Sequence, residues 1–454
     1  MRIPTFVSSF LCAAWFALGC ADAAPSCRNL APTADPEENY KAIVDCLSSP
    51  DARAQLAEGA FSISRKIKMP ARSTLSGAGA GATIISAANG YKDNSVIQAT
   101  DGNVIENLGF VGGGRLTQTC CTTVVSITGS GSQLERLDIS DGDEHTSESS
   151  DPSSRVAGLY FIGDSDSSDN VAKSLKIHDA FYGVIFRKGL RGDANNRLLD
   201  SEIFGISCDS MTFAGGGSVE GNHIHDTGFN CKQKPPIPGG GFYALNNSAG
   251  IVIANNTMTE VCGSAFDIVG SEHIKITGNK ISQRKLPFGG RYPYCHGTMA
   301  GFVDDSNMTI EHNDMEMIDT LPLGVSFKLH PAYAHQYAAQ YAPIPDKERQ
   351  IIGVRLLQLH GNSNGNRFVN NRIVTECSAG SPCAGHGIAL YIGPGAGEGT
   401  PNTVVDNTFI GTGVPALFCG SNKYQGNTLC TKRAADGGCA KTSGPAPTGA
   451  CAVR

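Results

Sequence analysis

Apolar and polar residues alternate most plainly in Gly263 to Ile281, GSAFDIVGSEHIKITGNKI. The pattern recurs without a gap, 34 residues on, in Gly297 to Met315, GTMAGFVDDSNMTIEHNDM. Each stretch opens with an apolar strand led by small residues and passes through a polar turn. A second alternating strand follows (Ile274 and Ile276; Met308 and Ile310), then Asn and a third short strand. Alternation with period two sends one face inward and the other to solvent. The Asn-x-apolar ending recurs at Asn222, Asn256, Asn371, Asn407 and Asn427, at spacings of 20 to 58 residues. A three-strand unit at irregular spacing predicts stacked coils with loops of varying length between strands, which is a solenoid.

Before the repeats, residues 36–48 (PEENYKAIVDCLS) place Tyr40, Ile43, Val44 and Leu47 on one helical stripe, with acids in the first turn. Short strands broken by Pro70 and by glycines follow. A helix and strands in that order suit a cap over the open end of the first coil. Further coils are expected at Val104–Phe110, Leu134–Ile139, Leu175–Ile177 and Leu199–Phe204, and onward through the Asn-marked set. After Cys430 the chain is rich in Gly, Pro, Ala and Thr and loses its period, as a disulfide-pinned tail would. The expected divisions are a signal segment (1–23), a cap with the first coils (24–103), the coil array (104–430) and the tail (431–454).

At 454 residues a globule would split into several domains, but a repeat array grows along one axis and escapes that limit. The 55 glycines suit many tight turns, and a net charge of −6 without a basic stripe argues against nucleic acid. Nothing after residue 25 reads as a membrane span. Arg2, the apolar run Phe6 to Leu18 and Ala21-Asp22-Ala23 read as a secretory signal, so the protein is expected to be secreted, periplasmic or extracellular. Lipid anchoring at Cys20 competes, with a poor sequence before it. Removing Cys12 and Cys20 leaves 14 of the 16 cysteines, an even number that implies disulfides in an exported protein. Near-neighbour pairing predicts Cys27–Cys46, Cys208–Cys231, Cys262–Cys295, Cys377–Cys383, Cys419–Cys430 and Cys439–Cys451, with Cys120 and Cys121 left over. No CxxC-type spacing points to a metal cluster.

The capping helix and the repeats behind it resemble the right-handed parallel β-helix superfamily of pectate lyase-like proteins, over roughly residues 36–430. The resemblance implies an all-β, right-handed parallel β-helix with a short N-terminal capping helix. It also implies that the recurring Asn residues form a buried amide ladder between second and third strands, a structural role, and that ligands bind on the outer face of the first strand of each coil.

Alternation then sorts that face. Val184 and Phe186, Ile206 and Cys208, Phe266 and Ile268, Val325, Phe327 and Leu329, and Ile388 and Leu390 point in. Arg187, Asp209, Asp267, Lys328, His330 and Tyr391 point out, with Ala244 and Gly301 on intervening coils leaving room for a bound chain. Parallel strands about 4.8 Å apart place Asp209 and Asp267 roughly 10 Å apart, and six coils span on the order of 25 to 30 Å, several sugar rings. The loops before these strands add His178, His223, His225, Arg291 and, in the long insertion 331–350, Tyr333 and further aromatics.

This face suits an acidic polysaccharide. For β-elimination a base removes the proton α to a uronate carboxylate while cations neutralise that carboxylate. Lys328 or His330 is the expected base and Arg187 the carboxylate partner. Asp209 and Asp267 are the expected acids or ligands of Ca²⁺, a hard ion suited to carboxylates. Tyr391, Arg291, His225 and Tyr333 are the expected substrate contacts. A glycoside hydrolase is the alternative, because Asp209 and Asp267 suit the separation of roughly 6.5 to 9.5 Å that inversion needs. Asp304-Asp305 and Gly385-His386-Gly387 resemble elements of the polygalacturonase branch, but their spacing departs from it, and Asp304 and Asp305 read as turn formers. A uronate C5-epimerase and a non-catalytic glycan-binding scaffold stay open.

Overall fold

The computed structural model describes residues 26–117, 122–141, 156–161, 167–187, 195–228, 240–244, 249–261, 263–284, 298–318, 355–376, 388–392, 396–411, 414–418, 422–435 and 439–442. Within them the chain winds as a parallel β-helix with three strands to a coil. One coil runs through Met211–Ala214, Gly217–Glu220 and His223–Thr227, and the next through Phe242–Ala244, Ile251–Ala254 and Thr257–Val261. Each strand pairs in parallel with its counterpart one coil on, Met211 with Phe242, Gly217 with Ile251 and His223 with Thr257. First strands make a 12-stranded sheet, while second and third strands form the two faces of a bent 26-stranded sheet.

The alternation decides which way each strand faces. In Phe266–Val269, Phe266 and Ile268 are fully buried and Asp267 keeps a solvent-exposed edge. In Thr257–Val261, Met258 turns in and Thr259 out. The inward phenylalanines fall in register, so Phe161, Phe186, Phe213, Phe242 and Phe266 stack at centroid distances of 4.7, 4.8, 6.3 and 5.4 Å. Each such ring contributes roughly 1.5 to 3 kcal/mol by leaving water.

Corners need polar partners, because a bent backbone leaves donors and acceptors inside. The expected Asn ladder supplies them. Nδ2 of Asn222, Asn256, Asn279, Asn313 and Asn371 donates to the Oδ1 of the next ladder Asn, each at 2.9 Å, and Asn407 continues to Asn427 at 3.0 Å. The residue before each rung is left-handed, as at Gly278 (φ 65°), Asn255 (φ 55°) and His312 (φ 56°), a region glycine and asparagine enter at little cost. A second ladder, which alternation did not foretell, lines the corner before the second strands. There Asn170 donates to Asn196 at 2.9 Å, and Asn402 to Asn422 at 3.0 Å.

The helix Pro36–Cys46 covers the first coil, with Asp35 capping its N-terminus through the Glu37 N–H and Ile43, Cys46 and Leu47 buried beneath it. Cys27–Cys46 is a disulfide, as expected. At the other end, Cys439–Thr442 pairs antiparallel with Thr428–Arg433, and Cys430 bonds to Cys439. That corrects Cys419–Cys430 and Cys439–Cys451: the chain turns back within a few residues, which leaves the Cα atoms of Cys430 and Cys439 5.5 Å apart. Cys208 is also disulfide-bonded. Its predicted partner Cys231, and the signal segment, lie outside the described residues.

Candidate functional site

On the 12-stranded sheet a column stands in register, Thr212, Tyr243, Asp267, Gly301, Gln358 and Tyr391. Asp267 therefore stands where alternation put it, and the next coil offers Gly301, which adds no side chain above it. Ala244 is buried instead of lining this face, since the strand Phe242–Ala244 places Tyr243 in the column.

Asp209 reaches the site by another route. The segment Gly205 to Asp209 is not a wall strand: Glu202–Ile206 belongs to the 26-stranded sheet, and the wall strand of that coil is Met211–Ala214. Asp209 sits at the corner just before it. There its Oδ1 accepts a hydrogen bond from the Gly240 N–H of the next coil at 2.7 Å. Its main-chain oxygen accepts from the Gly183 N–H of the coil before, at 3.1 Å. A Cβ at Gly240 would come within 2.9 Å of the Ser264 carbonyl oxygen, so the glycine run before Phe242 permits this approach. That run is the sequence signal for the contact.

Both acids remain partly accessible, yet the protein around them is dense. Burial pushes the Asp209 carboxyl up to about 7; the Gly240 N–H opposes that rise and the charge of Asp267 adds to it. Burial alone pushes Asp267 up to about 6. Among the described residues no basic side chain pairs with either. Two desolvated carboxylates that feel each other hold a shared proton or a cation more readily than two separate charges.

Arg187 ends the strand Tyr182–Arg187 with its side chain exposed, in register with Ala214. It lies one coil before the Asp209 corner and three coils, roughly 14 Å along the axis, from Asp267. Tyr391 holds its expected column position. His225 is a correction. It stands on the third strand His223–Thr227, on a different face from Asp267, stacked on Phe204 at 5.2 Å. Beside it, burial first and then the His225 ring hold His223 below the usual imidazole range.

Lys328, His330, Tyr333 and Arg291 lie outside the described residues, as do Gly385 to Gly387. The strand expected at Gly324 to His330 lies outside the described residues too; on the wall, Thr298–Val303 pairs with Arg355–His360. Asp304 and Asp305 are turn residues, as read. Asp304 has φ 57° and accepts from the Asn362 N–H at 2.8 Å, and Asp305 is buried and accepts from the Ser271 N–H at 2.7 Å.

The profile of the right handed beta helix region matches residues 211–429. No curated protein sequence matches the chain. Among solved structures, the polysaccharide lyase Pedsa3628 of family PL6 from Pseudopedobacter saltans superposes with a TM-score of 0.50 at 13% identity, over 92% of this chain and 96% of that one. The A-module of the mannuronan C-5 epimerase AlgE6 from Azotobacter vinelandii gives 0.42 at 12% identity, over 88% and 97%. ORF18 of Geobacillus virus E2 gives 0.45 at 16% identity over 61% of this chain, which spans 53% of that protein. Identities this low speak to fold alone. By its strand order, its ladders and this profile, the chain is a right-handed parallel β-helix protein.

Proposed function

We propose that this β-helix is an exported enzyme that cleaves an acidic, uronate-containing polysaccharide by β-elimination, with Asp209 and Asp267 at the centre of its site. One observation carries the reading: two partly buried carboxylates two coils apart, Asp267 on the wall beside a glycine position and Asp209 at the corner before it, feel each other's charge. The pair fits a hard divalent cation of the Ca²⁺ class, offering oxygen donors only, one of them already oriented by a backbone N–H. Such a cation, when bound, supplies positive charge for the uronate carboxylate. Arg187 offers a second cation farther along the wall.

The base is assigned to Lys328 or His330. Their segment is tethered at Ile318 and Arg355, and Arg355–His360 lies two coils, roughly 10 Å, from Asp267. Arg291 and Tyr333 are assigned to substrate contact. The Arg291 segment returns to the wall at Thr298, on the strand that pairs with Phe266–Val269.

Hydrolysis is the second reading, favoured by the raised pKa values: an Asp209 held protonated near neutrality suits a general acid. Product chemistry separates the two. Elimination from a panel of uronate polymers leaves an unsaturated, ultraviolet-absorbing end that disappears with chelator and returns with Ca²⁺. Hydrolysis leaves only a reducing end. If neither uronate polymers nor neutral glucans are altered, the enzymatic reading fails.

A further inference from the structure

The wall formed by the third strands carries a second cluster that the polysaccharide reading does not use. Glu202–Ile206 pairs in register with His223–Thr227, so that Glu202 lies opposite His223 and Phe204 opposite His225. His223 and His225, two apart on one strand, share a face. One donor atom from each of Glu202, His223 and His225 lies within 4.8 Å of the others. The His225 Nε2 is already 3.2 Å from the Glu202 Oε1. Donors held about 2.0 to 2.2 Å from one tetrahedral ion stand roughly 3.4 Å apart, so small side-chain rotations close the triad.

What surrounds the triad supports a built site. The His225 ring lies flat on Phe204, 5.2 Å away and inclined by 1°, and Phe204 lies flat on His178 at 4.9 Å. His178 is itself fixed, with Nε2 2.8 Å from Asp138 and Nδ1 2.8 Å from Asp179. The stack therefore limits how the His225 ring can turn. Lys176, in register with Glu202, sends its ammonium over the Phe204 ring at 5.4 Å. A groove of about 510 Å³, lined by Asp138, Lys176, Glu202 and His223 among others, runs beside the triad and leaves it open to solvent.

We propose that Glu202, His223 and His225 bind a divalent transition metal of the zinc class, clamping two successive coils. Two imidazole nitrogens and one carboxylate suit a borderline ion, whereas Ca²⁺ and Mg²⁺ prefer oxygen donors alone. Three protein donors facing a groove leave a coordination position for water.

The test uses the full chain, untagged and stripped of metal. Titration with Zn²⁺ by calorimetry gives one site that excess Ca²⁺ does not displace. Co²⁺ in its place shows visible ligand-field bands of a four- or five-coordinate ion. His223→Ala and His225→Ala each weaken Zn²⁺ about tenfold or more and abolish the Co²⁺ bands, as does Glu202→Gln to a smaller extent. Thr259→Ala, one coil on from His225 on the same face, leaves both signals intact. Equal Zn²⁺ affinity and unchanged Co²⁺ spectra in the parent and in folded His223→Ala and His225→Ala variants overturn the proposal. So does absence of Zn²⁺ binding by the parent. Polysaccharide cleavage is read separately, so either proposal can fail alone.

Discussion

The 12-stranded wall and the outer faces of the 26-stranded sheet treat charge in opposite ways. On the large sheet acids are matched. Glu316 meets Arg372 and Arg433, each at 2.7 Å, and Lys275 meets Glu311 at 2.9 Å. Burial works against the Glu316 charge, yet the two arginines hold its carboxyl below the usual range; the Lys275 ammonium does the same for Glu311. At the small sheet, Asp267 on its strand and Asp209 at the corner before Met211–Ala214 have burial without a described cation paired to them, and both carboxyls rise. A matched acid serves the coil. Buried acids left without an opposite charge are the feature on which the proposed site rests.

The largest expected effect comes from breaking that asymmetry at its centre. Asp267→Asn lowers kcat/KM on the polymer that is cleaved by about a hundredfold or more, with the fold kept, as circular dichroism checks. Asp209→Asn does the same, and activity unchanged in both variants removes the site from this wall.

Next is the ladder at the bend of the large sheet. Asn279 donates to the Ile253 carbonyl oxygen and to Asn313, each at 2.9 Å, and accepts from the Asn256 amide. Asn279→Ala orphans these groups and destabilises its coils by about 2 to 4 kcal/mol, measured by denaturant unfolding or amide exchange.

The pH dependence is smaller and has a definite sign. Both aspartates have folded pKa values above the 3.8 of an ordinary aspartate. The folded state therefore binds more protons, and their contribution is full below 3.8 and lost as pH rises through about 6 and then about 7. Chelator-treated protein should melt a few degrees lower at pH 8 than at pH 5, and Asp209→Asn should flatten that slope. A melting temperature that rises over this range in the parent only would contradict the assigned environment.

The smallest effect sharpens the contrast. Glu316→Gln keeps full activity and costs about 1 kcal/mol of stability, because its charges are paired near the surface.

Much of this molecule was legible from short segments. The inward phenylalanines and Asp267 follow from the alternation of their own strands, while the asparagine ladder is what the resemblance to parallel β-helices implies for the recurring Asn. The site was legible only in part. Alternation places Asp267 on the wall strand, where the register has it, but not Asp209, because Ile206, Ser207 and Cys208 continue the pattern of the preceding strand around a corner. His225 was grouped with the substrate wall, and its pairing with Glu202 was missed, since two strands contribute the cluster.

Local chemistry thus determined the kind of structure. Period-two alternation, glycine or asparagine before each corner, and an amide inside it are properties of a few neighbouring residues, and they specify a coil wherever they recur. Tertiary structure decided which coils are neighbours and which corner faces which strand. Insertions between strands shift where the next strand begins, and a shift of one residue moves a side chain to the opposite face. Only the stacked register tells Asp209 that it meets Gly240, and Glu202 that it meets His225.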